Sequence, residues 1–229
     1  MTARTFPIHL MLPAYNEGKV IAEVIREIKM IIECPIIVID DGSTDDTALC
    51  ARQAGARVIS HPINRGAGAA CMTGISLARQ EGYTCLVFMD ADGQHDPKDV
   101  DTLVNAQQEQ NLDLVIGSRF MQKNEGIPLL RRFFNLLANL LTNSFSTHRY
   151  SDTQSGFRLL NQNAIDRLEL VQDDFSYCSE MIIQAERAKI RVGECPISVR
   201  YTDYSIRKGQ DFQVGLFTAF HFLWKLIFK

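Results

Sequence analysis

Three clusters in this chain combine acidic and polar residues in patterns that could do chemistry: Pro13-Ala14-Tyr15-Asn16-Glu17, Asp40-Asp41-Gly42-Ser43 and Asp90-Ala91-Asp92-Gly93-Gln94-His95. Each follows an apolar run. In an extended segment alternate residues share a face, so Asp90 and Asp92 can address one point. Gln94 continues the same spacing. Hard divalent cations take carboxylate oxygens and readily keep phosphate oxygens and water as further ligands. Asp-x-Asp-Gly-Gln at a strand end therefore reads as a Mg²⁺ or Mn²⁺ site for a diphosphate. The alternative is a solvated turn that uses Asp and Gly for their turn propensity. The company of the other two clusters favours the cation, because like charges converging on one edge cost stability unless something offsets them. In the second cluster Ser43 or Thr44 is expected to cap a helix. A carboxylate there, directly after an apolar strand, could accept hydrogen bonds from a base or ribose.

Two phosphate-binding patterns are absent or incomplete. No G-x-x-x-x-G-K-[ST] occurs, which excludes a P-loop NTPase. Gly66-Ala67-Gly68-Ala69-Ala70-Cys71 approaches G-x-G-x-x-G, but Cys71 stands at the third small position. The run also follows Asn64-Arg65 rather than a strand, so the dinucleotide reading is poor. Gly66 and Gly68 would let a helix start close to a ligand with Arg65 nearby, or would serve packing alone.

The elements that must position these residues alternate. Residues 6–12, 36–40, 56–60, 85–90 and 113–118 are short, largely apolar runs that suit a parallel sheet covered on both faces. The first intervening segment keeps Val20, Ile21, Val24, Ile25, Ile28, Ile31 and Ile32 at a helical period. A βαβαβ order over residues 6–117 predicts an α/β sandwich. In such sheets ligands bind beyond the carboxyl ends of the strands, where the three clusters fall. After residue 118 a long helix is expected over 127–145, then a loop over 150–160, helical stretches near 161–169 and 176–190, a strand over 195–201, and an apolar helix from about residue 211.

Composition bounds the rest. The chain has 229 residues, 46% hydrophobic and 22% charged, which excludes a disordered tail, a collagen-like repeat and a disulfide miniprotein. With 24 Lys+Arg against 27 Asp+Glu there is no basic excess to suggest a nucleic-acid partner. Cys34, Cys50, Cys71, Cys85, Cys178 and Cys195 form no C-x-x-C pair and mostly lie in apolar runs, as core thiols of a reducing compartment do. The N-terminal run is too soon broken by Pro13 for a signal peptide. No stretch reaches the ~18 uninterrupted apolar residues of a membrane span. Residues 127–145 and 214–228 are nonetheless apolar enough to lie in a lipid interface, with Trp224 and lysines at headgroup level. The expectation is core packing for the first and a membrane-surface or oligomer contact for the second.

The segments LPAYNE at 12–17, IIVIDDGSTDDT at 36–47, NRGAGAACMTGISLA at 64–78, VFMDADGQHDP at 87–97, VIGSRF at 115–120 and SDTQSGFRLL at 151–160 together resemble family 2 of the inverting nucleotide-sugar glycosyltransferases. The similarity is greatest to the branch containing dolichol-phosphate mannosyltransferases and polyprenyl-phosphate glycosyltransferases. It implies a GT-A-type, Rossmann-like α/β sandwich with a mostly parallel central sheet, helices on both faces and a C-terminal amphipathic helix. It implies that Pro13, Tyr15, Glu17, Asp41, Arg65 and Asp90 hold the donor nucleotide, a UDP- or GDP-sugar. Asp90, Asp92 and Gln94 would bind Mg²⁺ or Mn²⁺. Arg119, Arg131, Arg132, Asn135, Ser155, Arg200 and Lys208 would face the acceptor and its phosphate, and Asp92, Asp152 and Arg119 would be catalytic. Residues 201–207 depart from the mannosyltransferase pattern, so the sugar and the acceptor stay open.

A hydroxyl acceptor would need a general base, for which Asp152 is the candidate. A polyprenyl phosphate is already anionic and needs Arg119 with Arg131 or Arg132 to position it more than it needs a base. The alternatives to lipid-phosphate glycosylation are a glycan or other hydroxyl acceptor, a non-catalytic nucleotide-binding scaffold, and a phosphatase, since VFMDADG also resembles the haloacid-dehalogenase motif. Residues 1–210 are expected to form the catalytic domain, with 1–118 binding donor and 119–210 acceptor. Residues 211–229 would form the membrane or oligomer contact. The expected location is cytoplasmic, peripheral at the membrane face, with a homo-oligomer or membrane-protein partner possible.

Overall fold

The computed structural model describes residues 7–122 and 129–200, the side chains at 129–131 excepted. Strands β1 (His9–Ala14), β2 (Ile36–Asp40), β3 (Arg57–Ser60), β4 (Cys85–Phe88), β5 (Leu114–Ser118), β6 (Arg158–Asn161) and β7 (Val192–Pro196) make a seven-stranded sheet in the order β3-β2-β1-β4-β6-β5-β7. All neighbours are parallel except β6, which runs antiparallel to both β4 and β5. Helices α1 (Ile21–Ile31), α2 (Thr47–Gln53), α3 (Ala67–Glu81), α4 (Asp99–Glu109), α5 (Leu129–Ser144), α6 (Gln162–Arg167) and α7 (Tyr177–Arg187) surround it.

The two faces of the sheet are covered by different helices, which is why its strands are apolar throughout. Leu10, Leu12, Val38, Val87 and Val115 pack under α1 and α4 through Ile21, Ile25, Ile28, Val100 and Leu103. Met11, Ile37, Ile39, Leu86 and Phe88 face α3, α6 and α7 through Cys71, Ile75, Ile165 and Met181. The strict alternation of Leu10, Met11 and Leu12 between clusters is the two-residue period of a strand. Full burial of each such side chain stabilises by about 1.5–3 kcal/mol. Cys71, Cys85, Cys178 and Cys195 are buried, and Cys34 and Cys50 half-buried.

The α/β expectation holds, with local departures. Residues 158–161, expected as loop and helix start, form β6. Four residues carry too little periodicity to declare themselves, and pairing on both edges overrides local preference. The late strand begins at Val192, three residues early, because it aligns in parallel with β5 from Leu114↔Val192 to Ser118↔Pro196. Neither Ser43 nor Thr44 caps α2, whose N-cap is Asp46. Ser43 Oγ instead accepts from the Asn16 N–H (2.9 Å), and the Thr44 N–H donates to Asn16 Oδ1 (2.9 Å). The second cluster thus braces the first. The core placement expected for α5 fails for one face: Phe133, Leu136 and Leu140 are 59%, 66% and 64% exposed. Among the described residues no helix is long and apolar enough to cross a membrane. The C-terminal helix from residue 211 lies outside the described residues.

Candidate active site

The carboxyl ends of β1, β2, β4 and β5 open on one rim, because these strands are mutually parallel in direction. β6 runs the other way, so the segment entering it, 151–157, arrives at that same rim between β4 and β5. Topology thereby brings SDTQSGFR beside DADGQH.

Asp90 lies just past β4 with its side chain about half exposed. It is pressed against Gly156: a Cβ built there would stand 2.3 Å from Asp90 Oδ1 and 3.0 Å from its Cγ. Asp92 Oδ1 accepts the Gln94 backbone N–H at 3.0 Å, and its Oδ2 accepts the Gln94 side-chain amide. Gln94 is buried and orients Asp92. Among the described residues no three His, Cys, Asp or Glu side chains make a closed metal cage. The oxygen-rich pair Asp90 and Asp92 nonetheless fits a hard cation whose remaining ligands come from a diphosphate and water.

His95 closes this site from below. It is buried, stacks on Phe157 with ring centroids 4.8 Å apart, and places Nε2 3.8 Å from Asp90 Oδ2. Burial pushes the imidazole down to about 4, so it is neutral at neutral pH. The charges acting on it are those of Asp92, Arg119 and Asp152. The paired aspartates and the Arg119–Asp152 pair therefore share one neighbourhood.

That second pair is the most tightly built part of the rim. Arg119, directly after β5, donates from Nε to Asp152 Oδ2 (2.7 Å) and from an Nη to Oδ1 (2.8 Å). Its backbone N–H also reaches Oδ2 (3.0 Å). The Asp152 side chain is wholly buried and that of Arg119 only 12% exposed. Both carboxylate oxygens of Asp152, the residue expected as a general base, are held by the arginine.

Other expected site residues have definite places. Tyr15 is exposed on the rim, Pro13 half-buried and Glu17 buried, with the Glu17 N–H on Thr47 Oγ1 (2.7 Å). Asp41 is occupied by the protein itself: it accepts from the Arg65 N–H (3.0 Å) and the Gly66 N–H (2.6 Å), with His61 Nδ1 at 2.7 Å. It holds loop 61–66 in shape. Gly66 and Gly68 admit backbone, not a ligand. Their missing Cβ atoms would lie 2.3 Å from the Asp173 carbonyl oxygen and 2.0 Å from that of Gln172, and the Gly68 N–H is capped by the Asp173 carbonyl at 2.8 Å. Arg65 is half exposed, with a long contact to Asp173 at 3.4 Å. Ser155 is fully buried, so its hydroxyl does not face an acceptor. The Arg200 guanidinium is held between Glu27 (2.6 Å) and Asp96 (2.7 Å), which ties the end of the described chain to α1 and the aspartate loop. Arg132 is exposed and Asn135 half-buried on α5. The Arg131 side chain and Lys208 lie outside the described residues.

Two residues at the site, Asn139 and Asn143, escaped the sequence reading, and a third, Arg158, stood in it only as part of the segment at 151–160. Arg158 is fully buried and donates to the carbonyls of Thr153 (2.8 Å), Ser155 (2.9 Å) and Cys178 (2.9 Å), which cements the 152–158 turn. Asn139 and Asn143, one turn apart on α5, grip the same loop. The Asn139 amide bonds Ser151 and Thr153, and Asn143 exchanges two 2.9 Å bonds with Tyr150. The signal was present as Asn135, Asn139 and Asn143 at four-residue spacing, which puts the three amides on one stripe of α5.

The family model described as Glycosyl transferase family 2 matches residues 10–169. The UDP-N-acetylglucosamine–dolichyl-phosphate N-acetylglucosaminyltransferase of Methanococcus voltae is 31% identical, over 91% of this chain and 91% of that protein. The polyprenol monophosphomannose synthase of Mycolicibacterium smegmatis is 27% identical, over 94% and 85%. Among solved structures, glucosyl-3-phosphoglycerate synthase of Mycobacterium tuberculosis superposes with a TM-score of 0.73 at 21% identity, over 97% of this chain and 80% of that one. That enzyme has also been solved with Mn²⁺, UDP and glucosyl-3-phosphoglycerate.

Proposed function

The chain belongs to glycosyl transferase family 2 and is a hexosyltransferase on a GT-A fold, and from that premise we propose that it moves a sugar from a UDP- or GDP-sugar to a polyprenyl phosphate at a membrane surface. The observation that carries this reading is the Arg119–Asp152 fork. A hydroxyl acceptor requires a base in reach of its proton. Asp152, the candidate, has both oxygens held by Arg119 and no exposed surface. A phosphate monoester brings its own anionic oxygen and needs a fixed cationic neighbour, which a guanidinium locked by a buried carboxylate provides. The names of the Methanococcus voltae and Mycolicibacterium smegmatis relatives point to the same acceptor class.

In this reading Tyr15, Pro13 and Glu17 line the nucleotide side, and Asp41 keeps loop 61–66 in place beside it. Asp90 and Asp92 would hold Mg²⁺ or Mn²⁺, with Gln94 fixing the orientation of Asp92. When bound, the cation neutralises charge on the departing diphosphate. Arg119, with Arg131, Arg132 and Asn135 from α5, aligns the acceptor phosphate for in-line attack and inversion at the anomeric carbon. The exposed Phe133, Leu136 and Leu140 stripe of α5 would rest in the lipid interface that supplies a prenyl chain. Residues 1–118 serve the donor and 119–210 the acceptor, with 211–229 as a further surface contact on the cytoplasmic side.

The test offers labelled UDP- and GDP-sugars with Mn²⁺ to a polyprenyl phosphate and to the matching polyprenol in the same micelles. Label extracted with the phosphate alone supports the reading. Equal label on the polyprenol refutes it, as does transfer only to water-soluble acceptors. A double variant Leu136→Glu, Leu140→Glu is expected to lose vesicle co-sedimentation while keeping nucleotide binding.

A further inference from the structure

The geometry points to Glu194 as a positioning residue for acceptor recognition, acting through Asp152 on Arg119; the inference rests on the acceptor role of Arg119 given above. Glu194 sits on β7 opposite Ile116 of β5. Its carboxylate leaves the sheet to grip the acceptor loop. Oε2 accepts the Ser151 N–H at 2.8 Å, and Oε1 accepts the Asp152 N–H at 2.9 Å and the Ser151 hydroxyl at 3.0 Å.

A carboxylate can only accept, so this contact fixes the direction of every proton in the chain. The Ser151 hydroxyl donates to Glu194, and its oxygen must then accept from the Ser118 hydroxyl, 2.6 Å away. Ser118 Oγ in turn accepts the Phe120 N–H at 3.2 Å. One carboxylate on an edge strand thus sets the loop that carries Asp152 and, through two serines, the turn that carries Arg119. Charge-assisted bonds to backbone N–H groups are the strong class of hydrogen bond. Asp152 is consequently held from both sides, by Glu194 at its main chain and by Arg119 at its side chain. Removing the Glu194 charge frees the main chain and lets the fork rotate away from the acceptor.

The substitution Glu194→Gln keeps the volume but leaves one acceptor oxygen for three donors and turns an NH₂ group toward an N–H. The expected result is a rise of about tenfold or more in the apparent KM for polyprenyl phosphate, the scale of one lost charge-assisted bond. Calorimetric affinity for UDP or GDP with Mn²⁺ should stay within about twofold of the unaltered enzyme. The side-chain Nε–H resonance of Arg119, protected by its 2.7 Å bond to Asp152, should be lost to solvent exchange. Ser151→Ala, which removes only the hydroxyl link, should shift both readouts the same way and less; it serves alone if the first variant does not fold. An unchanged Arg119 resonance, an unchanged acceptor KM, or a parallel fall in nucleotide affinity would overturn the inference. If the unaltered enzyme transfers to no lipid phosphate, the acceptor assignment falls, while the Arg119 resonance still decides whether Glu194 positions the fork.

Discussion

Replacing Gly156 by Ala tests the core of the site, because the structure says where the added methyl group must go. That Cβ would lie 2.3 Å from Asp90 Oδ1, 3.0 Å from Cγ and 3.1 Å from Oδ2, whereas ordinary contact begins near 3.4 Å. Asp90 must therefore retreat by about 1 Å, and misplacing a reacting constellation by that distance costs on the order of 100-fold in rate. The obstacle is the end of a short side chain rather than backbone, so the carboxylate can swing aside by rotating about χ1. Folding should then lose no more than about 1–2 kcal/mol, on the scale of a modest overpacking. The expected signature is a separation: kcat/KM falls about 100-fold and Mn²⁺-dependent binding of nucleoside diphosphate weakens, while the thermal midpoint moves by a few degrees. Titration calorimetry with and without Mn²⁺, alongside thermal unfolding, reads both sides. If the Gly156→Ala protein binds Mn²⁺ and nucleoside diphosphate as tightly as the original, Asp90 does not face the cation and the site is wrongly built.

Asp152→Asn sets an amide NH₂ against the Arg119 fork and breaks a buried ion pair, a change expected to cost about 3 kcal/mol in denaturant unfolding. If Asp152 is an anchor, the surviving activity keeps the original pH profile; loss of an acidic limb would mark it as a base after all. Arg158→Met leaves three buried carbonyls without their donor and should cost roughly 3 kcal/mol or more in the same assay, at about 1 kcal/mol or above for each. The side-chain hydrogen bond from Arg191 holds the Asp113 carboxyl well below the usual carboxylate range. A folded-state value below the unfolded one means that its contribution is full above about pH 4 and is lost as pH falls further. Because Arg191 is half exposed, that contribution is modest. Asp113→Asn should therefore lower stability slightly at pH 7 and flatten its decline below pH 4, followed by urea unfolding across that range.

Much of this enzyme is legible from residue order alone. The apolar strands, the amphipathic α1, and the acidic clusters at strand ends are local patterns: periodicity decides the element, and the residue after a strand must emerge at its rim. Asp90, Asp92 and Gln94 could be singled out for that reason. What residue order did not reveal is which polar groups the protein uses for itself. Asp41, Ser155 and Arg200 carry types suited to ligands, yet Asp41 is wrapped by backbone N–H groups, Ser155 is sealed, and Arg200 is shared by Glu27 and Asp96. Asp152 has the chemistry of a base and the surroundings of an anchor.

The difference comes from β6. Four residues too short to announce a strand insert between β4 and β5 in the reverse direction. That reversal carries Asp152 to Arg119 and Gly156 to Asp90, residues separated by 33 positions in one case and more in the other. Local sequence fixes what each segment can form, since its side-chain period is set by its own backbone. Which carboxylate ends up beside which guanidinium depends on strand order, a property of long-range pairing that no short window of sequence contains.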